Sequence, residues 1–204
     1  MNVSVGVILL GYLIGSISPS YILGKLLKGI DIREHGDSNA GGMNTYYVLG
    51  FRPAIITVVF DLSKGLISMY LASILGASPV CIQLTGLAAI LGHVFPIYLK
   101  FRGGKGIGTA VGILFYYLYL MIKNGWLSPL WLVIYIVAVI LIFYISRRKE
   151  ILGAIALPLL LAIILFSSPL NLVTAFAGIL ILYMFFINFL INIYKNESVG
   201  VRPS

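Results

Sequence analysis

The chain has 204 residues, of which 60% are hydrophobic and 10% charged, and its mean hydropathy is +1.06. An ordinary soluble domain carries about 25% charged residues, so the composition excludes a soluble enzyme and a disordered tail, and Cys81, the single cysteine, excludes an intrachain disulfide or a thiolate metal cluster. Fourteen Lys and Arg against six Asp and Glu give a net charge of +8, which in a membrane protein marks cytoplasmic loops and sites for anionic headgroups or phosphates rather than nucleic acid.

Apolar runs predict seven spans in one all-α, polytopic membrane domain covering residues 1–204. The first, Val3–Leu27, has no basic segment before it and reads as a span rather than a cleavable signal. A long polar loop follows over about 28–52, and Pro53 opens the second span, Pro53–Gly76, at a helix-start position. Ser78-Pro79 marks a turn into Val80–Lys100, and a Gly-rich loop at 101–106 leads to Gly106–Ile122. Ser128-Pro129 introduces Pro129–Ser146, and a basic loop at 147–150 precedes Ile151–Phe166. At 1.5 Å per residue that sixth span is only about 24 Å long, marginal for a full crossing. Ser167-Ser168-Pro169 then turns into the last span, Leu170–Tyr194.

Charge orients these spans. Lys25, Lys28, Arg33 and Arg52 fall at the first connection, Lys100, Arg102 and Lys105 at the third, Arg147, Arg148 and Lys149 at the fifth, and Lys195 and Arg202 in the tail. Only Lys123 and Lys64 depart from this alternation. The positive-inside rule therefore puts the N-terminus outside, the C-terminus in the cytoplasm and any chemistry at the cytoplasmic face, since the outer connections are only a few residues long.

Three groups of residues can carry chemistry. Arg102-Gly103-Gly104-Lys105-Gly106 precedes the fourth span, so backbone N–H groups, a helix N-terminus and two cations converge as a phosphate cradle; the plainer reading is a tight turn with membrane-anchoring charges. Asn39, Gly41 and Asn44 lie in a Gly- and amide-rich stretch that can fold onto a polar ligand, or form an ordinary surface loop. Asp61 and Lys64 are three residues apart on the second span and share a face, which reads as a structural polar pair. His93 and Asp61 each lie nine residues from a basic loop residue, about 13 Å into the membrane by helical rise. A histidine at that depth either fastens helices or serves a site.

At these residues the chain resembles a known family. Gly15-Ser16-Ile17-Ser18-Pro19, Asp31-Ile32-Arg33, the Gly36–Gly50 loop, Asp61-Leu62-Ser63-Lys64-Gly65 and the run GHVFPIYLKFRGGKGIGT from Gly92 to Thr109 are similar to the bacterial acyl-phosphate:glycerol-3-phosphate acyltransferases. The resemblance covers Gly11 to about Leu160. It implies seven membrane helices with the N-terminus outside, in the inner (plasma) membrane. It also implies transfer of a fatty acyl group from acyl phosphate to glycerol 3-phosphate, giving lysophosphatidate and phosphate, with membrane lipid as surroundings and no metal or cofactor. Asn39, Lys105, His93 and Asn192 are then the candidate catalytic residues, with Gly41, Asn44, Arg102, Gly103, Gly104 and Gly106 binding substrate. Asn192 rests on that alignment alone.

The chain also departs from the family pattern. Its first motif runs G-S-G-N-x-G-x-T-N-x-x-R, and Asp37, Met43 and Tyr47 stand at the serine, threonine and arginine. In the third motif Phe189 stands at the histidine. Two other functions fit parts of the sequence. A non-catalytic relative that binds a phosphorylated lipid precursor would explain Asp37, Tyr47 and Phe189, and a small transporter would explain Asp61, Lys64 and His93 within the membrane.

Overall fold

The computed structural model describes residues 3–146, 158–166, 169 and 171–200, and every regular element among them is helical. In chain order these are α1 (Val3–Ser16), α2 (Pro19–Lys28), α3 (Gly42–Leu49), α4 (Phe51–Ile74), α5 (Pro79–Val94), α6 (Ile107–Lys123), α7 (Pro129–Ser146), α8 (158–166) and α9 (Leu172–Gly200). Short 3₁₀ turns sit at Ile32–Glu34 and Ile97–Leu99. Three segments, Ser4–Lys28, Phe51–Ile74 and Pro79–Leu99, are long and apolar enough to cross a membrane. Apolar side chains such as Ile56, Val59 and Phe60 stay exposed on α4, as a lipid-facing helix requires. The expected basic loop at 147–150 and the first part of the sixth span lie outside the described residues.

Three segments differ from the sequence expectation, one of them the third span, whose helix α5 stops at Val94 with a 3₁₀ turn at Ile97–Leu99 before Lys100. The first span is not one helix. Ser18 is extended (φ −112°, ψ 97°), its hydroxyl accepts from the Tyr21 amide at 3.4 Å, and Pro19 starts α2. Proline has no N–H, so the Gly15 carbonyl has no helical partner four residues on, and capping diverts the Tyr21 amide from Ile17. Irregular backbone at membrane depth is stable only if such groups are satisfied internally, and here the Lys64 ammonium donates to Gly15 O at 3.2 Å and to Ile17 O at 2.8 Å. Finally, the polar loop at 28–52 contains a helix, α3, which buries Asn44 and Thr45 and exposes Met43, Tyr46 and Tyr47. Gly50, at φ +93°, separates α3 from α4; that backbone conformation suits glycine alone.

The chain divides into two compact units, 1–116 and 117–204. In the second, Asn171 caps α9 by accepting from the Val173 and Thr174 amides at 2.9 and 3.1 Å, and Leu160, Ile164, Ala177, Leu180 and Ile181 are buried. In the first, α1 and α5 meet backbone to backbone. A Cβ on Gly15 would overlap the Ala89 carbonyl, and one on Gly92 would overlap the Tyr12 carbonyl. Small residues permit such close helix approach in membranes. Gly15→Val should therefore cost about 1–3 kcal/mol by overpacking; an unchanged melting temperature in detergent would show that this crossing is looser than described.

Candidate functional site

The polar loop is built around Asn44. Its side-chain nitrogen lies 3.0, 3.0 and 2.9 Å from the carbonyls of Ile32, His35 and Asn39, and its oxygen accepts from the Asp37 amide at 2.7 Å. An amide nitrogen has two hydrogens, so these partners use all its donors. Asn44 thus organises the loop, with its amide hydrogens engaged by loop carbonyls. Asn39 makes no side-chain hydrogen bond among the described residues and lies beside Gly41. Removing the Asn44 amide leaves the buried Ile32 carbonyl unpaired, so Asn44→Ala should destabilise by roughly 1–3 kcal/mol. Limited proteolysis between residues 33 and 42 should accelerate with it, and equal cleavage of parent and variant would contradict the role.

The Gly-rich loop doubles back on α5. Lys100 and Phe101 take successive left-handed conformations (φ 54° and 59°), reversing the chain. The Gly103 amide then donates to Val94 O and the Gly104 amide to His93 O, both at 3.0 Å. These two N–H groups point into the protein, so Gly103 and Gly104 do not cradle an anion through their amides as expected. They shape the loop instead: a Cβ on Gly103 would overlap the His93 carbonyl, and one on Gly104 would overlap His93 Nε2. The side chains of Lys105 and Arg102 are exposed beside this turn, and Gly106 introduces α6 at φ +75°.

Arg33 fixes this turn from the other side. Its Nη1 donates to Leu99 O at 2.6 Å and Arg102 O at 3.1 Å, while Nε and Nη2 donate to the two Asp31 carboxylate oxygens at 2.9 and 2.6 Å. The ring of Tyr21 lies under the guanidinium, 5.1 Å away. The two loops consequently touch: the Ala40 carbonyl would be 2.9 Å from a Cβ on Gly104. The sequence reading had not foreseen the Arg33 clamp, although Asp31 and Arg33, two residues apart, are its visible trace. Hydrogen bonding from Arg33 holds the Asp31 carboxyl below the usual carboxylate range. A carboxylate whose folded pKa is depressed contributes stability above its unfolded pKa and loses it as pH falls through the folded value. The stability difference between the parent and Asp31→Asn should be full near neutrality and shrink in acid; a difference independent of pH would refute the clamp.

Beneath the loops lies a buried polar cluster. Lys64 is 2% exposed, Asp61 4% and His93 7%. Lys64 Nζ is 2.7 Å from Asp61 Oδ1 and 2.9 Å from His93 Nδ1, and His93 Nδ1 is 3.5 Å from Asp61 Oδ1. The structure thus joins His93 to the expected Asp61–Lys64 pair and places the far end of its ring at Gly104. Asn192 belongs to α9, but its side chain lies outside the described residues. Asp37 and Tyr47 are exposed. No group of three or more His, Cys, Asp and Glu side chains among the described residues is arranged to hold a metal.

Comparison with known proteins gives a consistent result. The family model described as glycerol-3-phosphate acyltransferase matches residues 5–196. The chain is 43% identical over 169 residues to a glycerol-3-phosphate acyltransferase of Chlorobaculum tepidum, covering 77% of this chain and 69% of the relative. It is 50% identical over 111 residues to one of Shouchella clausii, covering 53% of this chain and 54% of the relative. The crystal structure of PlsY, an integral membrane glycerol 3-phosphate acyltransferase, in its glycerol 3-phosphate form is similar with a TM-score of 0.69 at 26% identity, over 96% of this chain and 92% of that one. The lysophosphatidic acid form gives 0.68 at the same identity and coverage.

Proposed function

The chain belongs to the glycerol-3-phosphate acyltransferase family, and on that premise we propose how its own residues carry the reaction. It is an integral membrane acyltransferase that esterifies glycerol 3-phosphate, giving lysophosphatidate in phospholipid synthesis. The donor is acyl phosphate, and the acceptor phosphate binds where the two loops meet. The observation that carries this reading is the approach of the Ala40 carbonyl to Gly104, over His93 and beside the exposed Lys105.

An acyl phosphate is already activated. The 1-hydroxyl oxygen of the acceptor forms the new bond to the acyl carbon, the bond from that carbon to the phosphate oxygen breaks, and the departing phosphate takes the hydroxyl proton. The protein's task is to hold two anions in line and stabilise the charge that develops. Lys105, Arg102 and the N-terminus of α6 supply positive potential. The Asn39 amide, with Gly41 beside it, donates to a substrate oxygen, and His93 presents its ring under Gly104. Asn192 is a further candidate from the family alignment alone. No cofactor is needed, because the donor itself carries the free energy of the acyl bond.

The same reading places seven spans in the plasma membrane, with the N-terminus outside and the active side cytoplasmic. The alternating basic loops support it. Cysteines introduced at positions 33 and 105 in a Cys81→Ser background should resist impermeant maleimide on intact cells and react after permeabilisation; labelling on intact cells refutes the orientation. The acceptor site is tested by saturation kinetics. Lys105→Ala removes a charged donor, so acceptor binding should weaken by about 1.5–3 kcal/mol, read as a raised KM for glycerol 3-phosphate. An unchanged KM would put the phosphate elsewhere.

A further inference from the structure

The buried cluster has a direction. An ammonium donates hydrogen bonds and accepts none. Lys64 Nζ lies 2.9 Å from His93 Nδ1, so Nδ1 is the acceptor of that bond and the hydrogen of the neutral ring sits on Nε2. Nε2 is the atom that a Cβ on Gly104 would overlap, so it points out of the cluster toward the loop junction. Asp61 would enforce the opposite state if it acted alone. Its carboxylate accepts only, and Oδ1 is 3.5 Å from the same Nδ1, so without Lys64 it would draw the ring hydrogen to Nδ1 and turn Nε2 into a bare acceptor. A bare nitrogen facing a bound phosphate repels it; an N–H donates to it. The other bonds of Lys64, to Gly15 O and Ile17 O, anchor the ammonium in the break between α1 and α2, so the broken helix fixes where the charge stands. His93 also accepts the Gly104 amide on its own carbonyl, which holds the loop over the ring.

We propose that Lys64, held in place by its ion pair with Asp61, is a positioning residue for acyl transfer: its ammonium holds His93 in the Nε2–H form, and that hydrogen is donated to the phosphate of glycerol 3-phosphate at the loop junction. This rests on the reading of that junction as the acceptor site. It assigns the buried pair a role beyond fastening helices.

Nitrogen NMR of the histidine rings tests it. The chain has only two histidines, His35 and His93, so full-length protein labelled with ¹⁵N-histidine gives two rings, assigned with His35→Gln. In its neutral form, the parent's His93 should show Nδ1 bare and Nε2 protonated, and saturating glycerol 3-phosphate should shift the Nε2 signal. A ring protonated on Nδ1, or an Nε2 signal indifferent to glycerol 3-phosphate, overturns the proposal, and both results are read on the parent, with no change to the buried cluster. Lys64→Met should move the hydrogen to Nδ1 and lower kcat roughly 10²-fold, the scale of losing one aimed donor. A glutamine at the histidine position carries its own amide hydrogens, so in His93→Gln protein adding Lys64→Met should cost less than tenfold, a coupling that a purely structural lysine does not produce. Equal losses in both backgrounds would overturn the proposal. Lysophosphatidate formation by the parent is followed on the same preparation: its absence would sink the functional reading, whereas turnover with the wrong ring form sinks only the positioning role.

Discussion

Replacing Asp61 with alanine is expected to cost about 3–5 kcal/mol, the penalty for breaking a buried ion pair by removing one partner, and to leave little folded protein. The size follows from what is stranded. The Lys64 ammonium is 2% exposed, and with the carboxylate at 2.7 Å gone it keeps two carbonyls and an imidazole but no compensating charge. Removing both charges should behave differently. Asp61→Leu with Lys64→Met deletes the charge imbalance, and apolar replacements of buried pairs are often nearly neutral. Here recovery should be partial, because the Gly15 and Ile17 carbonyls lose their donor, at roughly 1–3 kcal/mol for each group left unsatisfied. Thermal unfolding of the two proteins in one detergent decides the point. A double variant less stable than Asp61→Ala would mean that the lysine serves the helix break more than the aspartate.

The second large effect concerns turnover. Asp37→Ser combined with Tyr47→Arg should raise kcat/KM roughly 10²-fold, the lower end of what one stabilising donor is worth in a reaction of this kind. Asp37 is exposed in the loop that meets Gly104, and its carboxylate opposes an approaching phosphate. Arginine at position 47 would present a planar fork suited to phosphate oxygens. The nearby Arg33 cannot take this part, because its guanidinium is committed to Asp31 and to two backbone carbonyls. The double variant should exceed the product of the single effects, since both changes act on one anion. Folded variants with no gain would show that Asp37 and Tyr47 serve this chain's own chemistry.

Much of this was readable from the sequence where composition or spacing acts locally. Apolar runs bounded by proline placed α4 and α7 close to their observed limits and the start of α5, which ends at Val94 rather than Lys100, and the i, i+3 spacing makes Asp61 and Lys64 partners. The break at Ser18 was not read, because hydropathy is blind to a missing N–H; Ser18-Pro19 carried the signal as a capping residue followed by proline. The helix α3 was missed because its polar face resembles loop composition. The direction of the Gly103 and Gly104 amides was misread for a different reason. Glycine frees the backbone to turn either toward a ligand or toward its own helix, and only the partner carbonyls of His93 and Val94 decide which. His93 joined the Asp61–Lys64 pair through a contact 29 residues away in the chain, which periodicity within one helix does not report.

Acyl transfer by this chain, with its altered first motif, at the proposed junction of its two loops is open to one decisive assay. Purified protein given palmitoyl phosphate and labelled glycerol 3-phosphate tests it most directly, with lysophosphatidate and inorganic phosphate measured together. The parent should form the two products in equal amounts, strongly reduced at fixed glycerol 3-phosphate by Lys105→Ala. Saturable binding of glycerol 3-phosphate with no lysophosphatidate, or turnover untouched by Lys105→Ala, would contradict it.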